Sequence, residues 1–329
     1  MIFFFLEKIR KLFKSIGKKE HKINDFITYK KFKINQKNFN LNHEDFNPLQ
    51  NSETKINLVA SITFLFDENK IHNLKQVCKN LFEISNKIEI YIFLNNITND
   101  QKDKLSKDLG INIKLIIVEN IVNNRLLPWY HLNLMRKLYN NKEITHFLYL
   151  EDDILIDKNN LNYWINSRKV LKRFNLIPGF IRTEVNQNDN ELYAIDFVKK
   201  DKLKYLPKIK INQNYFFLNH KYPYQGMYLY DRELMKEHLF GPSSNPDCGH
   251  GAFDTNYIDP RMINLDLMAK ANIGLTFINI PNGFHNRMVT LYDKKDKIFH
   301  KCSQIKHLSN KYSNTKSWFG NIKITDVLY

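Results

Sequence analysis

Three consecutive carboxylates, Glu151-Asp152-Asp153, follow the run His146-Phe147-Leu148-Tyr149-Leu150 and lead into Ile154-Leu155-Ile156. Clustered like charges repel and lower stability unless a cation offsets them, so a divalent metal is the economical explanation. Hard oxygen ligands suit Mg²⁺ or Mn²⁺, which bind one or two carboxylates and complete their shell with substrate phosphates and water. A metal held in this way offsets the charge that develops on a leaving pyrophosphate. The chemistry expected is therefore the breaking of a bond to a nucleotide diphosphate. Taken alone, the triplet also reads as an exposed acidic turn that caps the following segment.

The elements that must position these carboxylates are legible from Lys55 onward, where short apolar runs alternate with amphipathic helical segments. That alternation predicts an α/β fold with a mostly parallel, doubly wound sheet and helices on both faces. Strands are expected over Ile56 to Phe66, Ile88 to Leu94, Ile111 to Val118 and Thr145 to Leu150. Helices are expected over Asn69 to Ser85, Asp100 to Leu109 and Leu127 to Tyr139. Right-handed crossovers place all four strand ends on one edge, where open α/β sheets bind ligands. After Asp153 the pattern predicts a helix over Leu161 to Phe174 and strands over Gly179 to Thr183, Leu192 to Val198 and Gly226 to Tyr230. An irregular basic stretch over Lys199 to Lys221 lies between the last two strands. Asp231 caps a short helix ended by Gly241-Pro242; a further helix spans about Asp259 to Ala271, and Leu275 to Ile280 is the last strand.

This arrangement resembles the GT-A class of nucleotide-sugar glycosyltransferases, whose DxD-type motif ends a central strand. Glu151-Asp152-Asp153 stands where that motif would. Within the class, Asn123-Asn124-Arg125-Leu126-Leu127-Pro128, Leu150 to Asp153, Trp164 and Pro178-Gly179-Phe180-Ile181-Arg182 are similar to the exostosin-like glycosyltransferase arrangement. The resemblance implies metal-dependent transfer of a hexosyl or N-acetylhexosaminyl unit, with Glu151, Asp153 and His285 as metal ligands and His250 as the second choice of histidine. It implies a donor site formed by Asp152 and Arg125, whose forked guanidinium matches a diphosphate. Arg287 lies two residues beyond His285, on the same side of an extended segment, and is placed to contact the pyrophosphate. Thr63, Phe66, Asp67 and Asn95 end the first two strands and are placed to hold base and ribose; several also read as turn formers. Tyr224-Gln225-Gly226-Met227-Tyr228 looks like the acceptor-side strand, in which Gly226 either admits the sugar or is a bulge glycine in a core strand. Asp254, in the loop Asp247-Cys248-Gly249-His250-Gly251-Ala252-Phe253-Asp254, matches the acidic residue that acts on the acceptor, with Asp247 and Glu184 as alternatives. Asp254 also reads as a plain helix N-cap.

Composition narrows the classes. At 329 residues with 43% apolar and 13% aromatic content, the chain is globular and large enough for one or two domains. Cys78, Cys248 and Cys302 lie far apart, which excludes a disulfide framework and a thiolate zinc site and fits a reducing compartment. The net charge of +16 raises nucleic acid or an anionic membrane as partners. Only nine of the fifty basic residues are arginine, however, and Lys, Asn and Ile run high together, as codon bias produces. No run reaches the roughly 18–20 apolar residues needed to span a bilayer. The expected organisation is a basic amphipathic helix over residues 1–19 and a linker over 20–55. A transferase domain follows over 56–285, with nucleotide-binding (56–153) and acceptor (154–285) halves, and 286–329 is a C-terminal extension. The first helix either lies in an anionic membrane surface or docks on its own domain. The expected enzyme is cytoplasmic, peripheral on the inner face of the cell membrane, and works in bacterial surface polysaccharide assembly. It takes a nucleotide sugar, a UDP-sugar first among them, and a glycan or lipid-linked acceptor, with no nucleic acid. Two other classes share these features. A metal-dependent phosphodiesterase or nuclease needs paired His and Asp at several strand ends, which are thin here. A non-catalytic nucleic-acid-binding protein needs aromatics interleaved with basic residues, whereas most Phe and Tyr here fall in apolar periodic runs.

Overall fold

The computed structural model of the chain describes residues 26–41, 43–51, 55–85, 87–110, 112–198, 200–248, 258–259, 262, 265–315 and 319–329. The expected helix over 1–19 and the segment carrying His250 and Asp254 lie outside the described residues. Described residues open with helix α1 (26–35). Strands β1 (Leu58–Leu65), β2 (Ile88–Asn95), β3 (Ile113–Ile117) and β4 (His146–Glu151) then alternate with α2 (Ile71–Ile84), α3 (Asn99–Leu109) and α4 (His131–Tyr139). The four strands are parallel in the order β4-β1-β2-β3. The mostly parallel α/β fold is therefore present as the alternation predicts.

Local chemistry explains these elements. β1 is buried from Leu58 to Phe64, so its run is continuously apolar rather than alternating, as in a sheet covered on both faces. α2 buries Leu74, Val77, Cys78, Leu81 and Ile84 along one stripe. A capping box between Thr98 and Gln101 starts α3. The expected helix from Leu127 is instead divided into a 3-10 segment, Asn124–Trp129, and α4. Pro128 lies inside the first and cannot continue an α-helical hydrogen-bond ladder.

The second half builds two further sheets from β5 (Ile154–Leu155), β6 (Ile177–Pro178), β7 (Ile181–Val185), β8 (Leu192–Ala194), β9 (Lys208–Lys210) and β10 (Tyr215–Leu218). Later strands are β11 (Met227–Asp231), β12 (Met288–Asp293), β13 (Ile298–Phe299), β14 (Gln304–His307) and β15 (Ile322–Lys323). Three helices complete it, α5 (Lys158–Leu171), α6 (Arg232–Phe240) and α7 (Leu267–Ile273). β11 joins the central sheet antiparallel to β4, with Tyr228 opposite Tyr149. The other sheets run β13-β12-β10-β9, with β6 on β12, and β15-β8-β7-β14-β5.

Four expectations change here. The stretch Lys199 to Lys221 is not irregular throughout, because β9 and β10 pair across a turn held by Asn212 Oδ1, which accepts the N–H groups of Asn214 and Tyr215. Lys200, Lys202, Lys204 and Lys210 are exposed while Ile209, Ile211, Phe217 and Leu218 are buried. Leu275 to Ile280 is not a strand; Gly274–Phe277 is a 3-10 turn after α7, and Ile278 makes a single bridge to Ile258. A short buried apolar run carries no periodicity to separate the two outcomes. The stretch read as a linker packs on the body of the protein. Phe32 of α1 is buried against Phe39 and Phe284. Gly283, at φ +95°, passes so close that a Cβ there would lie 2.6 Å from the Phe32 backbone. Residues read as an extension supply β12 to β15, which pair with β10, β6, β7, β5 and β8.

Among the histidines buried in this frame, desolvation drives His131, His220 and His238 down to about 3. The unfolded chain takes up these protons near pH 6.5, whereas the folded chain resists until about pH 3. Their contribution to stability is therefore complete above pH 6.5 and is lost as the pH falls, by up to about 1.4 kcal/mol per group per pH unit. The urea midpoint of unfolding is expected to drop steadily from pH 7 to pH 5. A flat profile would contradict neutral burial.

Candidate functional site

The four parallel strands end along one edge, and the register β1–β4 sets Thr63 beside Glu151 and Ser61 beside Tyr149. Paired residues of parallel strands share a face, so these four side chains, with Asn95 two residues beyond Phe93 on β2, form one polar seam in an otherwise apolar sheet. Among the described residues, several of the seam's buried atoms have no hydrogen-bond partner: Ser61 Oγ, Asn95 Oδ1 and, beside Glu151, Asn272 Oδ1 and Asp152 Oδ2. The hydroxyls of Thr63 and Tyr149 have no partner beyond each other. A buried polar atom without a partner costs roughly 1–3 kcal/mol. Their concentration at one sheet edge marks a place built to be completed by a polar ligand.

The three carboxylates have different surroundings. Glu151 Oε1 accepts from Tyr224 OH at 2.5 Å and from Asn272 Nδ2 at 3.3 Å, and Arg182 Nη1 lies 3.8 Å from Oε2. Arg182 is itself gripped by Asp196 (Nε to Oδ2 2.9 Å, Nη2 to Oδ1 2.6 Å) and lies over the Tyr224 ring. Gly226, at φ +63°, accepts the Glu151 N–H with its carbonyl oxygen. A Cβ on Gly226 would stand 3.0 Å from Glu151 Oε2 and from Ile154 Cγ1, so this glycine makes room for the carboxylate itself.

Asp153 lies 3.2 Å from His307 Nε2, and His307 Nδ1 lies 2.5 Å from Glu184 Oε1. Burial alone would raise Asp153, but the hydrogen bond and charge of His307, with Lys311 and Arg182, hold it down at about 2. Burial would likewise lower His307, yet its bonds to Asp153 and Glu184 raise it. Asp152 has no such partner. Desolvation, then the charge of Asp153, push it up to about 7 against the pull of Lys70.

These donors suit a metal held through few ligands. Among the described residues, no group of three or more His, Cys, Asp and Glu side chains forms a ready-made cage. Mg²⁺ and Mn²⁺ do not require one when substrate phosphate and water complete the shell. The orphaned, buried Asp152 Oδ2 beside an ionised Asp153 is the feature that fits a cation.

The remaining sequence-predicted residues divide by location. Thr63 and Asn95 lie in the seam, and Asn95 Nδ2 donates to Asn124 Oδ1, tying β2 to the 3-10 segment that carries Arg125. The Arg125 side chain is exposed and has no partner among the described residues. Phe66 packs edge-on to Phe64, and Asp67 caps the next turn through the Asn69 N–H. Glu184 is buried, accepting from His307 and from the N–H groups of Tyr312 and Ser313, so it faces no acceptor. Asp247 is exposed in a turn of its own. Arg287 is buried with its guanidinium on Asn175 and Glu237, not beside the acidic segment. His285 lines a different cavity, with Tyr29, Asp201 and Tyr205. The late histidine brought to the carboxylates is His307, to which the sequence reading gave no role; its only local signal is the alternation Gln304-Ile305-Lys306-His307.

Among the described residues, no helix is long and apolar enough to cross a membrane. No protein-family model and no curated protein sequence matches the chain. Among solved structures it is similar to the 4-diphosphocytidyl-2C-methyl-D-erythritol synthase of Anaerococcus prevotii, at 11% identity and a TM-score of 0.32 over 64% of this chain and 81% of that one. It is also similar to the mannosyltransferase PcManGT of Pyrobaculum calidifontis in complex with GDP-Man and Mn²⁺, at 9% identity and a TM-score of 0.28 over 42% of this chain and 38% of that one. The galactosyltransferase LgtC, in complex with donor and acceptor sugar analogues, aligns at 16% identity and a TM-score of 0.24 over 32% of this chain and 41% of that one. Each likeness concerns the layout of sheet and helices alone.

Proposed function

We propose that the chain is a metal-dependent glycosyltransferase that moves a sugar from a nucleotide diphosphate to a glycan or lipid-linked acceptor. The observation that carries this reading is the unpartnered, buried Asp152 Oδ2, set beside ionised Asp153 at the ligand-binding edge of a parallel sheet. When bound, Mn²⁺ or Mg²⁺ supplies positive charge against the diphosphate leaving group. Asp152 and Asp153 hold it. His307 keeps Asp153 ionised and oriented, and buried Glu184 fixes His307 in turn. Glu151, held by Tyr224, Asn272 and Arg182, shapes the floor of the site. Thr63 and Asn95 offer polar atoms to the nucleoside, and exposed Arg125 is free to grip the diphosphate.

Asp254 serves as the base that takes the acceptor hydroxyl proton. Asp254→Asn is expected to lower turnover by a factor on the order of 10²–10⁴ with donor affinity unchanged. If Asp254 only caps a helix, Asn substitutes equally well and activity stays at the wild-type level. We further place the enzyme beside an anionic membrane through residues 1–19, in bacterial surface polysaccharide assembly, with a UDP-sugar as first choice of donor.

Thermal unfolding with UDP-, GDP- and dTDP-sugars, each with Mn²⁺ and with EDTA, tests the reading. A matching donor at a hundredfold excess over its Kd is expected to stabilise the fold by about 2.7 kcal/mol, and only with metal present. The reading fails if no donor shifts the transition, or if the shift survives EDTA.

A further inference from the structure

A second cavity, of about 470 Å³, opens where α1 meets the 200–206 segment and the end of the described chain, and no residue of the acidic segment lines it. Its size is that of a site for a ligand of a few rings. Three of its side chains are aromatic and strongly exposed: Phe26 at 59%, Tyr205 at 47% and Tyr329 at 65%. Exposed aromatics gathered around one concavity are unusual on a soluble surface and mark a contact site. Tyr29 meets Tyr205 edge to face at 5.4 Å, which fixes the orientation of that ring.

The charges around the rings are mixed in a telling way. Lys200, Lys202 and Lys221 line the cavity with Asp201; Lys200 Nζ pairs with Asp326 Oδ2 at 3.0 Å outside the lining, and Lys202 makes no ion pair among the described residues. Lys202 Nζ stands 5.5 Å from the centre of the Tyr329 ring, so cation and ring face one volume. The wall is firmly built: the Asp201 N–H bonds Val327 O, the Tyr329 N–H bonds Asp201 O, and Lys221 Nζ lies 3.9 Å from Asp201 Oδ1. His285 adds a buried imidazole at the same wall.

We propose that this cavity binds an acidic sugar, a pyranose bearing a carboxylate or phosphate. Aromatic faces pack on the apolar faces of sugar rings, and Lys202 pairs with the anion. Asp201 and His285 suit neighbouring hydroxyls, which donate as well as accept. A nucleic-acid backbone fits less well, because the rings and lysines gather around one concavity instead of lining a track. The proposal rests on this cavity alone and does not require the transfer reaction.

The test is titration of the full chain, in EDTA and without nucleotide, with tri-galacturonic acid, followed by ligand-observed NMR. Maltotriose, inorganic phosphate and oligothymidylate are the controls. Tri-galacturonic acid is expected to bind, with maltotriose and phosphate each at least about tenfold weaker. Lys202→Glu and Tyr205→Ala, both on exposed side chains, are each expected to weaken binding about tenfold with unchanged thermal unfolding, the scale of losing one charge-assisted contact. Absence of binding, equal binding of maltotriose or phosphate, wild-type affinity in Lys202→Glu, or tighter binding of oligothymidylate would each overturn the proposal. Because donor and metal are absent, none of these outcomes bears on the donor-binding experiment above.

Discussion

Asp152→Asn is expected to abolish metal-supported turnover while making the folded chain more stable. Asn keeps the volume and removes the charge, so the site loses the carboxylate that has no protein partner to replace a cation. Losing several kcal/mol of charge stabilisation at the diphosphate corresponds to a fall in turnover on the order of 10²–10³ or more. The stability effect follows from the raised pKa of about 7. The folded chain holds this proton more tightly than the unfolded chain, so the penalty from Asp152 is absent below about pH 4, grows up to about pH 7 and is level above it, opposite in sign to the trend set by the buried histidines. The shift from 3.8 to about 7 sets an upper scale on the order of 4 kcal/mol. The variant lacks this decline, so its advantage in urea midpoint should grow from pH 4 to pH 7 and then stay constant. Mn²⁺ should close the gap by stabilising only the wild type. Near wild-type turnover, or a gap that does not depend on pH, would remove Asp152 from the metal site.

Arg182→Met should be the most destabilising single change near the site. Its guanidinium is buried between Asp196 and Glu151, both largely shielded, and packs on the Tyr224 ring. Removing one partner of a buried pair leaves uncompensated charge and costs about 3–5 kcal/mol. Here two carboxylates are stranded together. Replacing the pair as a whole, Arg182→Met with Asp196→Leu, should recover much of the loss, because no charge then remains buried opposite the methionine except Glu151. Arg182→Lys should rescue only partly, since an ammonium cannot make the forked contact to Asp196. Denaturant unfolding of the two single variants and the double variant checks the cycle. A loss below 1 kcal/mol for Arg182→Met would mean that Glu151 and Asp196 are stabilised by other groups.

Between Leu58 and Glu151 the chain was nearly transparent to sequence reasoning, with β1 to β4 and α2 and α3 within a few residues of their expected bounds. Each of these elements announces itself by which of its own side chains must leave water, and that information is local. The same locality placed three carboxylates at a strand end. It failed where lysines masked the buried residues of β9 and β10, and where a short apolar run after α7 turned into a 3-10 segment.

What the sequence by itself determined is the parallel sheet, the edge on which its strands end and the acidic segment standing there. Only the tertiary structure decided what each carboxylate does. Tyr224 and Asn272 reach Glu151 from 73 and 121 residues away, and His307 is fixed by a glutamate 123 residues distant. Such partners arrive through the pairing of β14 with β7 and β5 and of β11 with β4, not through any spacing along the chain. Burial then separates three adjacent acids: one is held by neutral donors and an arginine, one is ionised by a histidine, and one keeps an oxygen, Asp152 Oδ2, that meets no donor among the described residues. Periodicity reports which side chains leave water, whereas the charge state of a buried carboxylate depends on which distant groups meet it there.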